Sequence, residues 1–437
     1  MDPLVSGLAL IAMLVVTLGS GVWIFVGLLL VSVAGLHFLV GMPLDRVFTI
    51  AGTITYRSAS TWEMAAVPLF IWVAELIFRS SVSARLFRGL TPFVDRIPGR
   101  LLHTNVLGCT LFAAVSGSSA ATTATVGKIT SSELLNRGYN QNIAVGSLAG
   151  AGSLGLLLPP SIAMIIYGIL AEVSVSRLFA AGVLPGLMVS GLYSGFIMLM
   201  ALIRPGIAPT GHQDFGLRDY LRGALDLLPV VALMGIVLGA IYSGIATPSE
   251  AAAVGVFAAF GLLILLGELN WGLIRASLMG TVRTSTMVCI ILVSASLLST
   301  TLGYLHLPQE LGAAIGAMNL DPLALIALLA LFYLLLGVFV DGVAIIVMTL
   351  PMTLPLVTAA GYDPVWFGVF LVLMVEIGLL TPPVGINLFV LQGLTNWPLG
   401  RVARASVPFF LLFGLAVILL VIFPQLALWL PDQLYGK

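Results

Sequence analysis

The chain has 437 residues, of which 60% are hydrophobic and only 8% carry a charge, and its formal net charge is zero. This composition excludes a nucleic-acid-binding protein, which needs a basic face. Apolar runs of about 20 residues, the length of a membrane-spanning helix, recur along the whole sequence. The sequence therefore predicts an all-α polytopic membrane protein.

The apolar runs follow one another from the first residues to the last. Their approximate bounds are 4–19, 21–41, 62–79, 104–130, 141–174, 179–204, 224–244, 248–267, 283–305, 322–358, 364–396 and 405–430. Small or polar residues interrupt two of them, 104–130 at Ser116 to Ser119 and 322–358 at Asp341-Gly342. Non-helical backbone at membrane depth is tolerated only where protein or a cavity covers it. Both runs are therefore predicted to be re-entrant helical hairpins.

Two other runs carry a Pro-Pro pair near the middle. Pro159-Pro160 lies within 141–174, and Pro382-Pro383 lies within 364–396. A proline inside a helix removes a hydrogen-bond donor and clashes with the preceding turn. Each run is therefore predicted to be a helix broken inside the membrane.

The same residue types recur at a single offset of 223 positions. The matches include Val115 with Val338, Tyr139 with Tyr362, Gly155 with Gly378 and Pro160 with Pro383. A register without gaps over this distance predicts an internal duplication, with the functional site between the two copies.

Arginine distribution predicts that the two copies are inverted in the membrane. Segments 79–103, 204–222 and 401–404 are rich in arginine and are expected in the cytoplasm, whereas 306–321 has acidic residues only and is expected outside. The alternative is a chance distribution of charge. The predicted domains are a first repeat, 1–205, a polar linker, 206–223, and a second repeat, 224–437. The first holds hairpin 104–130 and broken helix 141–174, and the second holds hairpin 322–358 and broken helix 364–396.

Inverted repeats with broken helices are the architecture of secondary transporters, which bind their substrate near the bilayer midplane. A broken helix exposes free N–H groups at one half and free C=O groups at the other. The carbonyl ends can coordinate Na⁺, and the amide ends can hold a carboxylate. The pattern therefore predicts a carrier of an anionic solute.

Five stretches resemble the large membrane subunit, or M subunit, of tripartite ATP-independent periplasmic (TRAP) transporters of the C4-dicarboxylate type. They are Gly117-Ser-Ser-Ala-Ala-Thr-Thr-Ala-Thr-Val-Gly127, Gly155-Leu-Leu-Leu-Pro-Pro-Ser161, Thr247-Pro-Ser-Glu-Ala-Ala-Ala-Val-Gly255, Gly337-Val-Phe-Val-Asp-Gly342 and Glu376-Ile-Gly-Leu-Leu-Thr-Pro-Pro-Val-Gly-Ile-Asn-Leu-Phe389. The resemblance covers essentially the whole chain, in order.

The resemblance implies an elevator-type fold like that of the ion transporter superfamily, in the bacterial inner membrane. It implies Na⁺-driven import of an organic acid. It also implies two protein partners, a small four-helix membrane subunit on a separate polypeptide and a soluble periplasmic binding protein that delivers the substrate. No cofactor is expected besides Na⁺ as the coupling ion.

The first predicted Na⁺ site joins the first hairpin tip to the first helix break. Its residues are Ser116, Ser118, Gly155, Leu158 and Pro160. Main-chain carbonyls and serine hydroxyls supply the oxygen ligands, and the resemblance places Na⁺ at these positions. The alternative is that glycine and serine only permit close helix packing.

The second predicted Na⁺ site consists of the partners of those five residues at the 223-residue offset. They are Phe339, Asp341, Gly378, Thr381 and Pro383. Asp341 places a carboxylate inside an apolar run, which is costly unless the group is used or paired. The alternative role for Asp341 is an N-cap that accepts hydrogen bonds from backbone amides.

Several residues near the two tips are candidates for contact with an anionic substrate. They are Ser118, Ser119, Thr122, Gly342, Asn387 and Arg283. Arg283 begins an apolar run and could equally extend to the cytoplasmic interface. Glu376 is a candidate coupling carboxyl, and the alternative is a structural hydrogen bond to a neighbouring helix.

The sequence has two alternative interpretations besides a TRAP transporter subunit. A stand-alone proton- or Na⁺-coupled anion carrier or antiporter on the same plan would use Asp341 and Glu376 as proton carriers. An intramembrane enzyme is disfavoured because neither acid lies in a protease motif. Nucleotide binding is excluded because Thr122 and Ile129 occupy the positions where a phosphate loop around Gly127-Lys128 needs Gly and Ser or Thr.

Overall fold

The structure is a computed structural model that describes residues 3–209, 214–317, 321–382 and 385–436. Within these ranges the chain is helical and contains no β-strand. The α-helices are α1 Pro3–Gly19, α2 Ile24–Ala34, α3 Leu44–Ala59, α4 Ala66–Phe78, α5 Val82–Val94, α6 Leu102–Ser116, α7 Ser119–Asn136, α8 Gln141–Gly152, α9 Ile162–Ala171, α10 Val175–Ile203, α11 Leu217–Tyr242, α12 Pro248–Leu265, α13 Trp271–Tyr304, α14 Leu307–Ala317, α15 Pro322–Gly337, α16 Gly342–Ala359, α17 Pro364–Leu379, α18 Ile386–Thr395, α19 Leu399–Ile422 and α20 Gln425–Tyr435.

The predicted class, an all-α polytopic membrane protein, is confirmed. Six helices in the described ranges are long and apolar enough to cross a bilayer, or seven if the bent pair Leu44–Ala59 and Trp62–Phe78 forms one span. Large apolar side chains point outward from them, such as Phe257, which is 77% exposed, and Leu265, which is 85% exposed. Apolar surface on this scale is favourable only when lipid covers it.

All four predicted interruptions separate helices in the structure. The first hairpin turns between α6 and α7 at Gly117, whose φ of 57° is left-handed and suits a residue without a side chain. The second turns between α15 and α16. The two broken helices are α8 with α9 and α17 with α18, and residues 153–161 separate the first pair.

Each hairpin packs against the broken helices of both halves of the chain. Helices α6 and α7 contact α8, and α15 and α16 contact α17 in the same manner. Helix α7 also contacts α18, and α16 contacts α9. The second helix of each hairpin thus packs against the second part of the broken helix from the other half of the chain, α7 against α18 and α16 against α9. This exchange brings both hairpins and both breaks into one group.

Several elements differ from the predicted runs. Helix α3 does not correspond to any predicted apolar run, because it is amphipathic. Its polar residues include Asp45, Arg46, Thr49 and Arg57. Helix α13 begins at Trp271, so Arg283 lies inside the helix rather than at its start. Helix α11 begins at Leu217, within the predicted linker.

The last difference is that the apolar run 405–430 forms two helices rather than one. Helix α19 ends at Ile422, and α20 begins at Gln425, because Pro424 has no N–H with which to continue the helical hydrogen bonding of α19. Helix α19 also begins earlier than the run, at Leu399, so Arg401 and Arg404 lie in its first two turns.

Helices α15 and α17 cross at two glycines. A Cβ added to Gly337 would lie 2.6 Å from the Cα of Gly378, and one added to Gly378 would lie 2.7 Å from the Cα of Gly337. Backbones approach this closely only where neither residue has a side chain. The crossing fixes the second hairpin against its broken helix.

We expect Gly337→Ala to lower the thermal unfolding midpoint, because the added methyl group meets backbone that cannot rotate away. Overpacking of this kind costs about 1–3 kcal/mol. Gly235→Ala is the matched control, because a Cβ there meets nothing within 4 Å. That control should be neutral or stabilising, since glycine weakens a helix interior by about 0.5–1 kcal/mol relative to alanine. Equal midpoints for both variants would contradict the crossing.

Candidate functional site

The tip of the first hairpin lies directly on the break between α8 and α9. A Cβ added to Gly155 would lie 2.5 Å from the backbone N and Cα of Ser119. A Cβ added to Gly117 would lie 2.9 Å from the carbonyl oxygen of Pro160. The two glycines therefore allow the tip and the break to meet backbone to backbone, which brings their free carbonyl groups into one place.

Hydroxyl groups at this tip are buried and hydrogen-bonded to one another. The Oγ of Ser116 lies 2.7 Å from the Oγ1 of Thr122, and both residues are buried. Ser118 is the N-cap of α7, where its Oγ accepts a bond of 3.4 Å from the N–H of Ala121. These bonds fix the positions of the oxygens that the first predicted site would use.

Leu158 lies in the same break, but its side chain points away from the tip. A Cβ added to Gly186 of α10 would lie 2.4 Å from the Cδ2 of Leu158. The residue therefore has only its main chain to offer to an ion. Ser116, Ser118, Gly155 and Pro160 are brought together as predicted, and their role as Na⁺ ligands stays a prediction.

The second predicted set is arranged differently from the first. Gly378 contacts Gly337, whereas the first-half equivalent, Gly155, contacts Ser118 and Ser119. Position 114, which corresponds to Gly337, is alanine, so the glycine crossing exists only in the second half. Gly342 is buried, and a Cβ on it would lie 2.4 Å from the Cγ1 of Val375.

The side chains of the second set are more accessible than those of the first. Phe339 is 73% exposed, and Asp341 is exposed and accepts a hydrogen bond of 3.2 Å from the N–H of Val343 as the N-cap of α16. The capping role for Asp341 is therefore present in the structure. Thr381 donates its hydroxyl hydrogen to the carbonyl of Ile377 at 2.8 Å. Pro383 lies outside the described residues.

Glu376 of α17 connects the two halves of the chain. Its side chain is fully buried, and Oε1 accepts hydrogen bonds from the hydroxyl of Ser119 and, at 2.8 Å, from the N–H of Leu156. Ser119 belongs to the first hairpin tip, and Leu156 belongs to the first helix break. The structural hydrogen bond predicted as the alternative role of Glu376 is thus present. It joins the hairpin tip to the helix break of the first site. Oε2 has no hydrogen-bond partner among the described residues.

Helices α7 and α18 pack against each other. A Cβ on Gly127 of α7 would lie 2.8 Å from Leu394 and 3.7 Å from Leu391, both on α18. Thr123, one turn before Gly127, lies against Gly152 of α8, and Asn387 lies in the first turn of α18. Both are fully buried, and neither the Thr123 hydroxyl nor the Asn387 amide has a hydrogen-bond partner in the described part of the chain. Buried polar atoms without partners are rare and point to a ligand.

Two of the residues that shape this site were missed by sequence reasoning. Thr123 directly follows the predicted Thr122, but a pair of adjacent threonines gives no sign of which hydroxyl lies buried against Gly152 of α8 without a partner in the described chain. Leu156 contributes only its backbone N–H, which no side-chain pattern reveals. Arg283 is exposed on α13 and forms no ion pair with the described residues, so the structure does not place it with the tips.

Comparison with known proteins gives one consistent result. A family model described as "Tripartite ATP-independent periplasmic transporter, DctM component" matches residues 11–426. The C4-dicarboxylate TRAP transporter large permease protein DctM of Pseudomonas aeruginosa is 34% identical over 380 residues, which cover 87% of this chain and 88% of the relative. The ectoine/5-hydroxyectoine TRAP transporter large permease protein UehC of Ruegeria pomeroyi is 31% identical over 86% of this chain and 87% of its own length.

A solved structure shares the fold. The crystal structure of the Alcanivorax borkumensis YdaH transporter superposes with a TM-score of 0.64 and covers 89% of this chain and 90% of that chain. Sequence identity is only 16%, so this similarity concerns the fold alone.

We expect Glu376→Leu to lower the unfolding midpoint strongly, because it leaves the Leu156 N–H and the Ser119 hydroxyl buried without an acceptor. Each unsatisfied group costs about 1–3 kcal/mol. Glu376→Gln is the matched control, since its amide oxygen can accept both bonds. A Gln variant as unstable as the Leu variant, or a Leu variant as stable as the wild type, would contradict a stabilising role for the two hydrogen bonds of Glu376. Thermal unfolding of the purified protein in detergent provides the measurement.

Proposed function

The chain belongs to the family of DctM components of tripartite ATP-independent periplasmic transporters, and on that premise we propose that it imports a small organic acid with Na⁺ as the coupling ion. As a member of this family it is a transport permease rather than an enzyme. It is a multi-pass inner-membrane protein that works with a small membrane subunit and a periplasmic binding protein.

The single observation that supports Na⁺ coupling best is the close backbone contact between the first hairpin tip and the first helix break. Two interrupted elements meet there through Gly117 and Gly155, with the Ser116 and Ser118 hydroxyls and the Pro160 carbonyl close by. Alkali cations take oxygen ligands of this kind, and carbonyl ends of broken helices supply them in secondary transporters. We propose a second Na⁺ at Asp341, Gly378 and Thr381, where the carboxylate of Asp341 is exposed.

We propose that the substrate carboxylate lies between the starts of α7 and α18. Both helix N-termini present free N–H groups there, which favour an anion. The unpartnered amide of Asn387 adds donors in the first turn of α18. The relatives named above are described as carriers of C4-dicarboxylates and of ectoine, solutes that share a carboxylate. We therefore propose a small carboxylate solute, which the binding protein selects.

Coupling follows from thermodynamic linkage in this proposal. Cation binding at the tip orders the start of α7 and offsets the negative charge of the substrate. Each ligand then raises the affinity of the other by the same factor. The two hairpins and the two broken helices pack against one another, and we propose that they move together as an elevator. Helices α11 and α12 pack on α5 and α4.

Proton coupling is the second candidate, and Glu376 favours it. Its Oε2 is buried without a partner in the described structure, as in a carboxyl group that holds a proton. In that case Glu376, rather than the tip oxygens, would carry the coupling ion.

We expect NaCl to raise the unfolding midpoint above that in KCl at equal ionic strength. A ligand at 100 times its Kd stabilises the folded state by about 2.7 kcal/mol. Ser118→Ala and Asp341→Ala should each reduce this Na⁺-specific difference. The matched controls are Ser132→Ala on α7 and Asp321→Ala at the start of α15, two exposed residues on the same two hairpins. Equal midpoints in Na⁺ and K⁺ would overturn Na⁺ coupling and favour the proton-coupled carrier.

We expect Asn387→Leu to lower uptake at least about tenfold without destabilising the protein, because the wild-type amide has no partner to lose and a hydrogen bond to a charged ligand contributes about 1.5–3 kcal/mol. Uptake is measured in proteoliposomes with the small subunit and the binding protein, for whichever of succinate or ectoine the complex transports.

Asn105→Leu is the matched control for Asn387→Leu. Asn105 is equally buried, but its amide donates to the Ala144 carbonyl at 3.0 Å and to Ser147 Oγ at 2.9 Å. The control should therefore lower the unfolding midpoint, whereas Asn387→Leu should not. Full uptake by Asn387→Leu would show that Asn387 does not contact the substrate.

A further inference from the structure

A cleft of about 560 Å³ opens between the starts of α8 and α19 and the end of α10. Its lining includes no residue of either hairpin tip or either helix break. Three arginines, Arg204, Arg401 and Arg404, contribute to its lining, and no acidic residue lines it in the described part of the chain. The cleft therefore has a strongly positive rim.

The arginines of this rim are free of acidic partners. None of the three forms an ion pair with a described aspartate or glutamate. The guanidinium of Arg401 lies 3.6 Å from the centre of the Trp397 ring and donates a hydrogen bond of 3.2 Å to Oε1 of Gln141. Both contacts orient that guanidinium and leave its positive charge uncompensated.

Besides the three arginines, Asn140 and Asn142, the lining of the cleft is apolar. Phe196 and Met200 of α10 and Phe409 of α19 form its wall, and the Phe196 and Phe409 rings pack edge to face with centroids 5.4 Å apart. Arg204 follows Met200 by one helical turn at the end of α10, so the basic rim stands directly beyond the apolar wall. A bound molecule must therefore be anionic at one end and apolar at the other.

We infer that this cleft binds an acidic phospholipid, with the phosphate on Arg204, Arg401 and Arg404 and an acyl chain along Phe196, Met200 and Phe409. The arginine-rich segments 204–222 and 401–404 are predicted to be cytoplasmic, which places the rim at the headgroup level of the inner leaflet. Basic pockets between membrane helices on that side bind acidic headgroups. Arginine suits a phosphate because its planar group donates two parallel hydrogen bonds.

The test measures thermal unfolding of the purified full chain in detergent during titration with phosphatidylglycerol or with phosphatidylcholine of the same acyl chains. Phosphatidylglycerol should raise the midpoint saturably, and phosphatidylcholine should not. The triple variant Arg204→Gln, Arg401→Gln and Arg404→Gln should weaken the apparent affinity for phosphatidylglycerol at least about tenfold, because hydrogen bonds to charged groups contribute about 1.5–3 kcal/mol each.

The matched control removes the same charge from the same predicted side of the membrane. It replaces Arg96, Arg218 and Arg222 by glutamine, three exposed arginines outside the cleft. This control should keep the wild-type response to phosphatidylglycerol. If both triple variants lose the response to phosphatidylglycerol equally, that response depends only on general surface charge, and the proposed site is overturned.

A second variant and a soluble probe complete the test. If the triple variant does not fold, Arg404→Gln alone should still weaken the lipid response by about threefold or more, and a wild-type response from it would count against the cleft. Glycerol phosphate and inorganic phosphate should have no effect at concentrations where phosphatidylglycerol saturates. Stabilisation by either one to the same extent would make this a soluble-anion site and overturn the lipid assignment.

Discussion

The hydrogen bonds of Glu376 hold together the parts of the first site that the chain itself keeps apart. One carboxylate oxygen accepts from Ser119 at the first hairpin tip and from the Leu156 N–H at the first helix break. A break inside the membrane leaves backbone donors that no water can satisfy, and each would cost several kcal/mol if it stayed unpaired. A side chain from the other half of the molecule meets this requirement, so the geometry of the first site depends on the assembly of both halves.

Small residues make the same assembly sterically feasible. Gly155 and Gly117 let the first tip touch its break, and Gly337 with Gly378 lets α15 and α17 cross backbone to backbone. Lipid does not drive apolar helices together, so close packing and internal hydrogen bonds must provide the attraction. Because the glycine crossing exists only in the second half, the two proposed Na⁺ sites differ, the first enclosed and the second open around Asp341.

The proposed sites for ions, substrate and lipid use separate features of this arrangement. Carbonyl groups at the first tip and break suit a cation, while the starts of α7 and α18, with Asn387, suit a carboxylate. The arginines at the end of α10 and the start of α19 lie outside both and face the predicted cytoplasmic surface. A phospholipid there would contact two of the helices that pack around the hairpins and would stabilise their arrangement without entering the transport site.

The sequence by itself determined the membrane class, the two hairpins and the two broken helices, because long apolar runs, Pro-Pro pairs and polar interruptions act locally on the backbone. It also identified Ser116, Ser118, Gly155 and Pro160 as one group. Only the tertiary structure decided that Glu376 bonds to Ser119 and Leu156, that Gly378 meets Gly337, and that the Asn387 amide lies buried without a partner in the described part of the chain. These contacts join residues that are distant in sequence, and their geometry depends on how whole helices cross, which no local pattern specifies.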